Sequence, residues 1–117
     1  MTLDRIARLF PDLPLIAAHM GTLTWFDEAV AITGHHPNVY GDTSGGPASV
    51  GVDFYRMPLH DRIAWDKMMF GSDSLPFDTH IPFDDLSRLM DDLHMPKDRR
   101  QRILGGNAAK VFGIGKK

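Results

Sequence analysis

Residues 68–77 read MMFGSDSLPF: apolar or backbone-only positions lead into Ser72 and Asp73, and Pro76 breaks the stretch. A short continuous apolar run bounded by turn residues fits a strand buried on both faces, here from about 67 to 71. Such a strand ending on a carboxylate needs a reason, and two other stretches share the form. PLIAAHMG (14–21) is apolar from about 15 to 19 and closes on His19. NVYGDTSGG (38–46) gives a strand from about 38 to 42 that runs into Asp42, Thr43, Ser44 and two glycines.

Helical spacing fills the intervals. Leu3, Ile6, Ala7 and Phe10 share one helical face, with Asp4 near the start, and Pro11 and Pro14 end that pattern. Phe26, Ala29, Val30 and Ile32 define a second helix, with Asp27 and Glu28 in its first turn and Gly34 at its end. From about 50 to 64 the pattern is interrupted by Gly51 and Pro58, although Tyr55, Leu59, Ile63 and Ala64 fit one helical face. Phe83, Leu86, Leu89, Met90 and Leu93 give a long helix, Pro96 starts another, and GGNAAKVFG (105–113) reads as a final helical turn capped by Asn107 and stopped by Gly113.

Strands alternating with helices imply βαβ units and a parallel α/β sheet. In such sheets polar groups gather where the strands' carboxyl ends open. The endings at His19, at Asp42–Ser44 and at Asp73 are therefore expected on one rim.

Composition limits the function classes. The 117 residues are 43% hydrophobic and 24% charged, as in one soluble globular domain, with no linker or internal repeat dividing residues 1–117. Thirteen basic against fifteen acidic side chains give a net charge of 13 − 15 = −2, which disfavours nucleic acid and anionic membranes as partners. The absence of cysteine removes disulfides, thiolate catalysis and cysteine metal sites. The opening MTLDRIARLF is not signal-like and no apolar run reaches membrane-span length, so the cytoplasm is the default location.

FPDLPLIAAHMG, HPNVYGDTSG, KMMFGSDSLPF and ILGGNAAKVFG, in this order and spacing, resemble the C-terminal part of the amidohydrolase-related metal-dependent hydrolases, which include aminocarboxymuconate semialdehyde decarboxylase-like enzymes. The resemblance implies three-eighths of a TIM (β/α)8 barrel: three parallel strands similar to strands six to eight. It implies a divalent metal, commonly zinc, in the complete enzyme. Asp73 matches the carboxylate after strand eight, a metal ligand that also orients or deprotonates bound water. His19 matches the histidine closing strand six, an acid/base or substrate-polarising group in one-metal members and a ligand in two-metal members. A metal lowers the pKa of bound water to about 7, and a neighbouring imidazole or carboxylate then moves protons at neutral pH. The implied parent reaction is hydrolysis or non-oxidative decarboxylation of a small carboxylated or cyclic substrate.

The same resemblance places the other ligands, a His-x-His pair after strand one and a histidine after strand five, where this chain has no counterpart. Three parallel strands cannot close a barrel, and both outer strands are expected to expose unpaired backbone groups. Dependence on a complementary chain segment or on a homo-oligomer follows. Two rival readings are a non-catalytic α/β interaction module that pairs through its sheet edges, and a phosphate-binding domain using Gly45 and Gly46.

Among the remaining residues, His35 and His36 are expected in a solvated loop at the opposite end of the strands. Asp78 and His80, in the loop beyond Asp73 that leads to the last long helix, are expected to make loop hydrogen bonds rather than to touch substrate. Trp25, Trp65, Met68, Met69 and Phe70 are expected in the core, and Asp84, Asp85, Asp91 and Asp92 on a solvated helix face.

Overall fold

In a computed structural model, residues 2–45, 53, 55, 56, 58 and 64–115 are described, the side chains of 64 and 65 excepted. Helix α1 (Thr2–Leu9) leads through a proline-bounded turn into β1 (Leu15–Ala17), and a left-handed turn (Ala18–Gly21) opens helix α2 (Thr22–His35). Strand β2 (Val39–Asp42) follows; helix α3 (Ala64–Lys67) runs directly into β3 (Met68–Met69). A 3-10 turn (Pro76–Asp78) precedes α4 (His80–Asp92), then α5 (Lys97–Gln101), a π turn (Arg102–Gly106) and α6 (Asn107–Phe112). Most of the helix expected from 50 to 64 lies outside the described residues.

The strands pair in parallel in the order β1-β2-β3, with Ala17 opposite Gly41 and Asp42 opposite Met69. This register brings all three carboxyl ends to one side, as the alternation of strands and helices requires. The strands are shorter than the sequence suggests. β1 stops at Ala17 because His19, Met20, Gly21 and Thr22 all adopt positive φ, and Lys67 belongs to α3 rather than to β3.

Packing explains the elements. The α2 residues Phe26, Ala29 and Ile32 recur at helical spacing and are buried, and α4 buries Leu86, Leu89 and Met90. The larger core joins the two through Met20, Tyr55, Met68, Met95 and Ile103, and each fully buried side chain of this size contributes about 1.5–3 kcal/mol. A smaller cluster of Ala7, Ile32 and Val39 seats α1. At Gly41 a Cβ would stand 1.9 Å from the Met20 sulfur, so the glycine makes room for that buried methionine, which any larger residue would displace.

Several expectations are corrected here. Trp25 is exposed, because α2 departs from helical φ/ψ there and the ring leaves the buried face; Trp65 lies outside the residues with described side chains. Ile16 is 37% exposed, so β1 is not buried on both faces as its apolar run suggested. Asn107 is no cap: it is buried, and its amide donates to the Met68 carbonyl at 2.8 Å while the Phe70 amide donates to Ile103 at 2.8 Å. These two bonds cover the edge of β3 facing away from β2. One of the two edges expected to be open is therefore closed by the chain itself; β1 carries no strand on its outer side among the described residues.

The amino pole of the sheet is fastened separately. His36 is buried and its Nε2 donates to Asp4 at 2.8 Å, which ties α1 to the turn before β2 and corrects the solvated loop expected there. The Asn38 amide reaches the carbonyls of Ala7, Phe10 and Leu13. Lys67 Nζ donates to the carbonyls of His36, Pro37 and Val39 at 2.7, 2.7 and 3.1 Å, which uses all three of its protons.

Candidate active site

At the carboxyl pole, the left-handed turn after β1 presents His19, and a residue with φ of 47° after β3 presents Asp73. His19 Nε2 stands 4.0 Å from Asp73 Oδ2, with side chains 33% and 61% exposed respectively. The two groups come from positions 54 residues apart in sequence, at the ends of β1 and β3, so β2 lies between their strands. Non-glycine residues at positive φ are held at a cost of roughly 1–3 kcal/mol each and concentrate at functional sites. Here they form the supports of the two converging side chains.

The end of β2 holds His19 in place. Asp42 Oδ1 accepts the backbone N–H of His19 at 3.0 Å, the backbone N–H of Ser44 at 3.0 Å and the Ser44 hydroxyl. Ser44 Oγ also meets His19 Nδ1 at 2.9 Å, and the buried Tyr55 hydroxyl donates to the Ser44 carbonyl at 2.6 Å. Burial first, and the Asp42 charge second, raise the Tyr55 phenol above its ordinary value, so it remains a donor. Gly45, with φ of 57°, packs under the pair: a Cβ there would lie 2.5 Å from His19 Nδ1 and 3.1 Å from Asp73 Oδ2.

Beside Asp73 opens a cavity of about 400 Å³ whose lining includes Thr43, Gly45, Ser72 and Asp73 from the strand ends and Asp78, Ile81 and Leu86 from the segment that follows. Asp85 also lines it, so this residue does not belong only to the solvated face expected of α4. Asp84, Asp91 and Asp92 are exposed as expected, the last two facing Arg100 and Arg56. The phosphate-loop alternative places Gly45 beside the Asp73 carboxylate, which repels an anion; Gly46 lies outside the described residues.

Chemically, an imidazole facing a half-exposed carboxylate across 4.0 Å can accept and donate protons to a group lodged between them. It does not complete a metal centre. A catalytic zinc takes three protein ligands, and among the described residues no three histidine, aspartate or glutamate side chains are placed to share an ion. Asp42, the nearest further carboxylate of the network, already accepts three hydrogen bonds through Oδ1.

The sequence pointed to His19 and Asp73, and the structure brings them together. It placed Asp42, Thr43 and Ser44 on the same rim; Thr43 lines the cavity, whereas Asp42 and Ser44 grip His19. The i, i+2 spacing of Asp42 and Ser44 beyond a strand end was the available signal, but it does not reveal which neighbouring loop they hold. Tyr55 carried no signal beyond its helical spacing.

Three parallel strands joined by helices, with all their carboxyl ends on one rim, form part of a TIM barrel. The chain belongs to the amidohydrolase family, whose model matches residues 1–114. Solved structures share the fold. An amidohydrolase from Burkholderia multivorans with bound zinc is 20% identical with a TM-score of 0.67, over 95% of this chain and 48% of its own. The same enzyme with bound HEPES gives 19% and 0.67 over the same shares. An uncharacterised TIM-barrel protein from Bordetella bronchiseptica gives 23% and 0.66, over 96% of this chain and 38% of its own. The chain thus spans less than half the length of these structures. No curated protein matches it. No helix among the described residues is long and apolar enough to cross a membrane.

Proposed function

We propose that this chain is the C-terminal portion of a metal-dependent amidohydrolase-type enzyme that hydrolyses or decarboxylates a small carboxylated or cyclic substrate. His19 acts as its acid/base group, or as a ligand if two metals are held, and Asp73 as metal ligand and proton acceptor. Residues 1–117 form a single incomplete barrel segment in this reading, and the missing ligands belong to polypeptide outside it. The convergence of His19 and Asp73 at 4.0 Å beside an open cavity carries the proposal. Family membership and the zinc bound by a Burkholderia amidohydrolase of the same fold support the reaction class.

The test is complementation. This chain is combined with a polypeptide bearing the early barrel strands and a His-x-His pair, then assayed for metal content, molar mass and turnover of cyclic esters, cyclic amides and aromatic carboxylates. The expected result is stoichiometric divalent metal and turnover lost in His19→Ala and Asp73→Ala. Absence of both metal and turnover from a correctly assembled complex sinks the proposal.

One observation favours a second reading. Leu9, Phe10, Leu13 and Ile16 are exposed along α1, its following turn and the outer strand β1, a surface suited to pairing with another chain. An interaction module of this kind forms a metal-free complex by sedimentation, with stability indifferent to Asp73→Ala and His19→Ala.

A further inference from the structure

We infer that Ser44, held by Asp42, is a positioning residue that fixes His19 as the Nδ1–H tautomer, so that the Nε2 lone pair faces Asp73. The inference rests on reading His19 as an acid/base group, and proton counting carries it. An ionised carboxylate only accepts. The single hydroxyl proton of Ser44 is therefore donated to Asp42, and Ser44 Oγ meets His19 Nδ1 as an acceptor. Nδ1 must then carry the hydrogen, and a neutral imidazole has only one.

The far side of the ring agrees. Nε2 and Asp73 Oδ2 stand 4.0 Å apart, beyond hydrogen-bond distance. No Nε2–H donation to that carboxylate is made at this distance, which is compatible with a lone pair on Nε2. The space between is suited to a proton-bearing group of the substrate. Gly45 completes the arrangement, since any side chain there would collide with the ring edge that bonds Ser44.

His36 supplies an internal reference. Its Nε2 donates to Asp4 at 2.8 Å, so His19 and His36, the partly or fully buried histidines among the described residues, are assigned opposite tautomers by one rule.

The test is long-range proton–nitrogen NMR on the full ¹⁵N-labelled chain at a pH where the imidazoles are neutral. His19 is expected to show a protonated-type Nδ1 and a lone-pair-type Nε2, and His36 the reverse. In Ser44→Ala the His19 signature is lost to a mixture or to the Nε2–H form, Ser44→Thr restores it, and unchanged His36 signals report that the fold persists. A wild-type His19 already in the Nε2–H form overturns the inference, as does a Ser44→Ala protein that keeps the Nδ1–H form. Turnover is not the readout. An inactive complemented enzyme with the expected tautomer defeats the functional reading alone, and an active one with the wrong tautomer defeats this inference alone.

Discussion

The backbone amide of His19 donates to the carboxylate of Asp42 at 3.0 Å across 23 residues of sequence. The bond closes the left-handed turn that projects the imidazole, and it joins the ends of two adjacent strands. Asp42→Ala removes the acceptor of two backbone amides and one hydroxyl. Losses of this kind cost about 1–3 kcal/mol for each buried group left unpaired, and these groups are only partly buried. The expected outcome is destabilisation of about 1–3 kcal/mol in urea denaturation, with the His19 NMR signals displaced and those of His36 unchanged.

Gly45→Ala is expected to damage the rim more than its size suggests. Its φ of 57° disfavours any side chain by about 1–2 kcal/mol, and the new Cβ would meet His19 Nδ1 at 2.5 Å. The ring has to move. Denaturation should show the conformational cost, and the His19–Ser44 signature should vanish in the same variant.

Acid should release α1. Asp4 is held below its ordinary value of 3.8 chiefly by the hydrogen bond from His36; burial opposes this, and the charges of Arg8 and His36 add attraction. A depressed carboxylate stabilises the fold fully above its unfolded value and loses that contribution as pH falls through the folded one. Stability is therefore expected to decline below about pH 4, and Asp4→Asn should flatten this limb in an acid titration followed by circular dichroism.

Alkali should act on the other pole through Tyr55. Burial, then the Asp42 charge, raise its phenol above 10.0. A raised pKa means that stabilisation is complete below the unfolded value and falls away as pH rises above it. Tyr55→Phe is expected to cost about 0.5–1.5 kcal/mol at neutral pH through loss of its bond to Ser44, and to remove this alkaline limb. Ultraviolet titration checks it: Tyr55 should ionise only beyond the ordinary tyrosine range.

Lys67→Met should loosen the turn before β2 without touching the rim. Burial lowers the Lys67 pKa, with the Lys110 charge adding to the effect, yet its three protons serve three carbonyls of residues 36–39. Methionine keeps the aliphatic stem and leaves those carbonyls to water. A loss of about 1–3 kcal/mol is expected, with hydrogen exchange quickened at Val39 and the His19 signals unchanged.

These residues also show how much could be read from the sequence. The alternation of apolar runs with helical spacing located all three strands, because burial on a sheet leaves a local pattern. His19 and Asp73 were legible because each terminates such a run. Exposed Trp25 and buried His36 were not, since their fates depend on partners distant in sequence: a kink in α2 for the first, Asp4 for the second. Asn107 looked like a cap for the same reason, its partner Met68 lying 39 residues away. The positive φ of His19, Met20 and Thr22 has no signature in residue type, so β1 ended earlier than its apolar run suggested.

The separate fastening of the two poles has an evolutionary consequence. Lys67, His36 and Asn38 secure one end by bonds that never reach the other, so replacements at His19, Ser44 or Asp73 can accumulate while the scaffold still folds. The rim residues, rather than overall resemblance, are therefore the place to compare relatives, since the opposite pole holds the scaffold by bonds of its own.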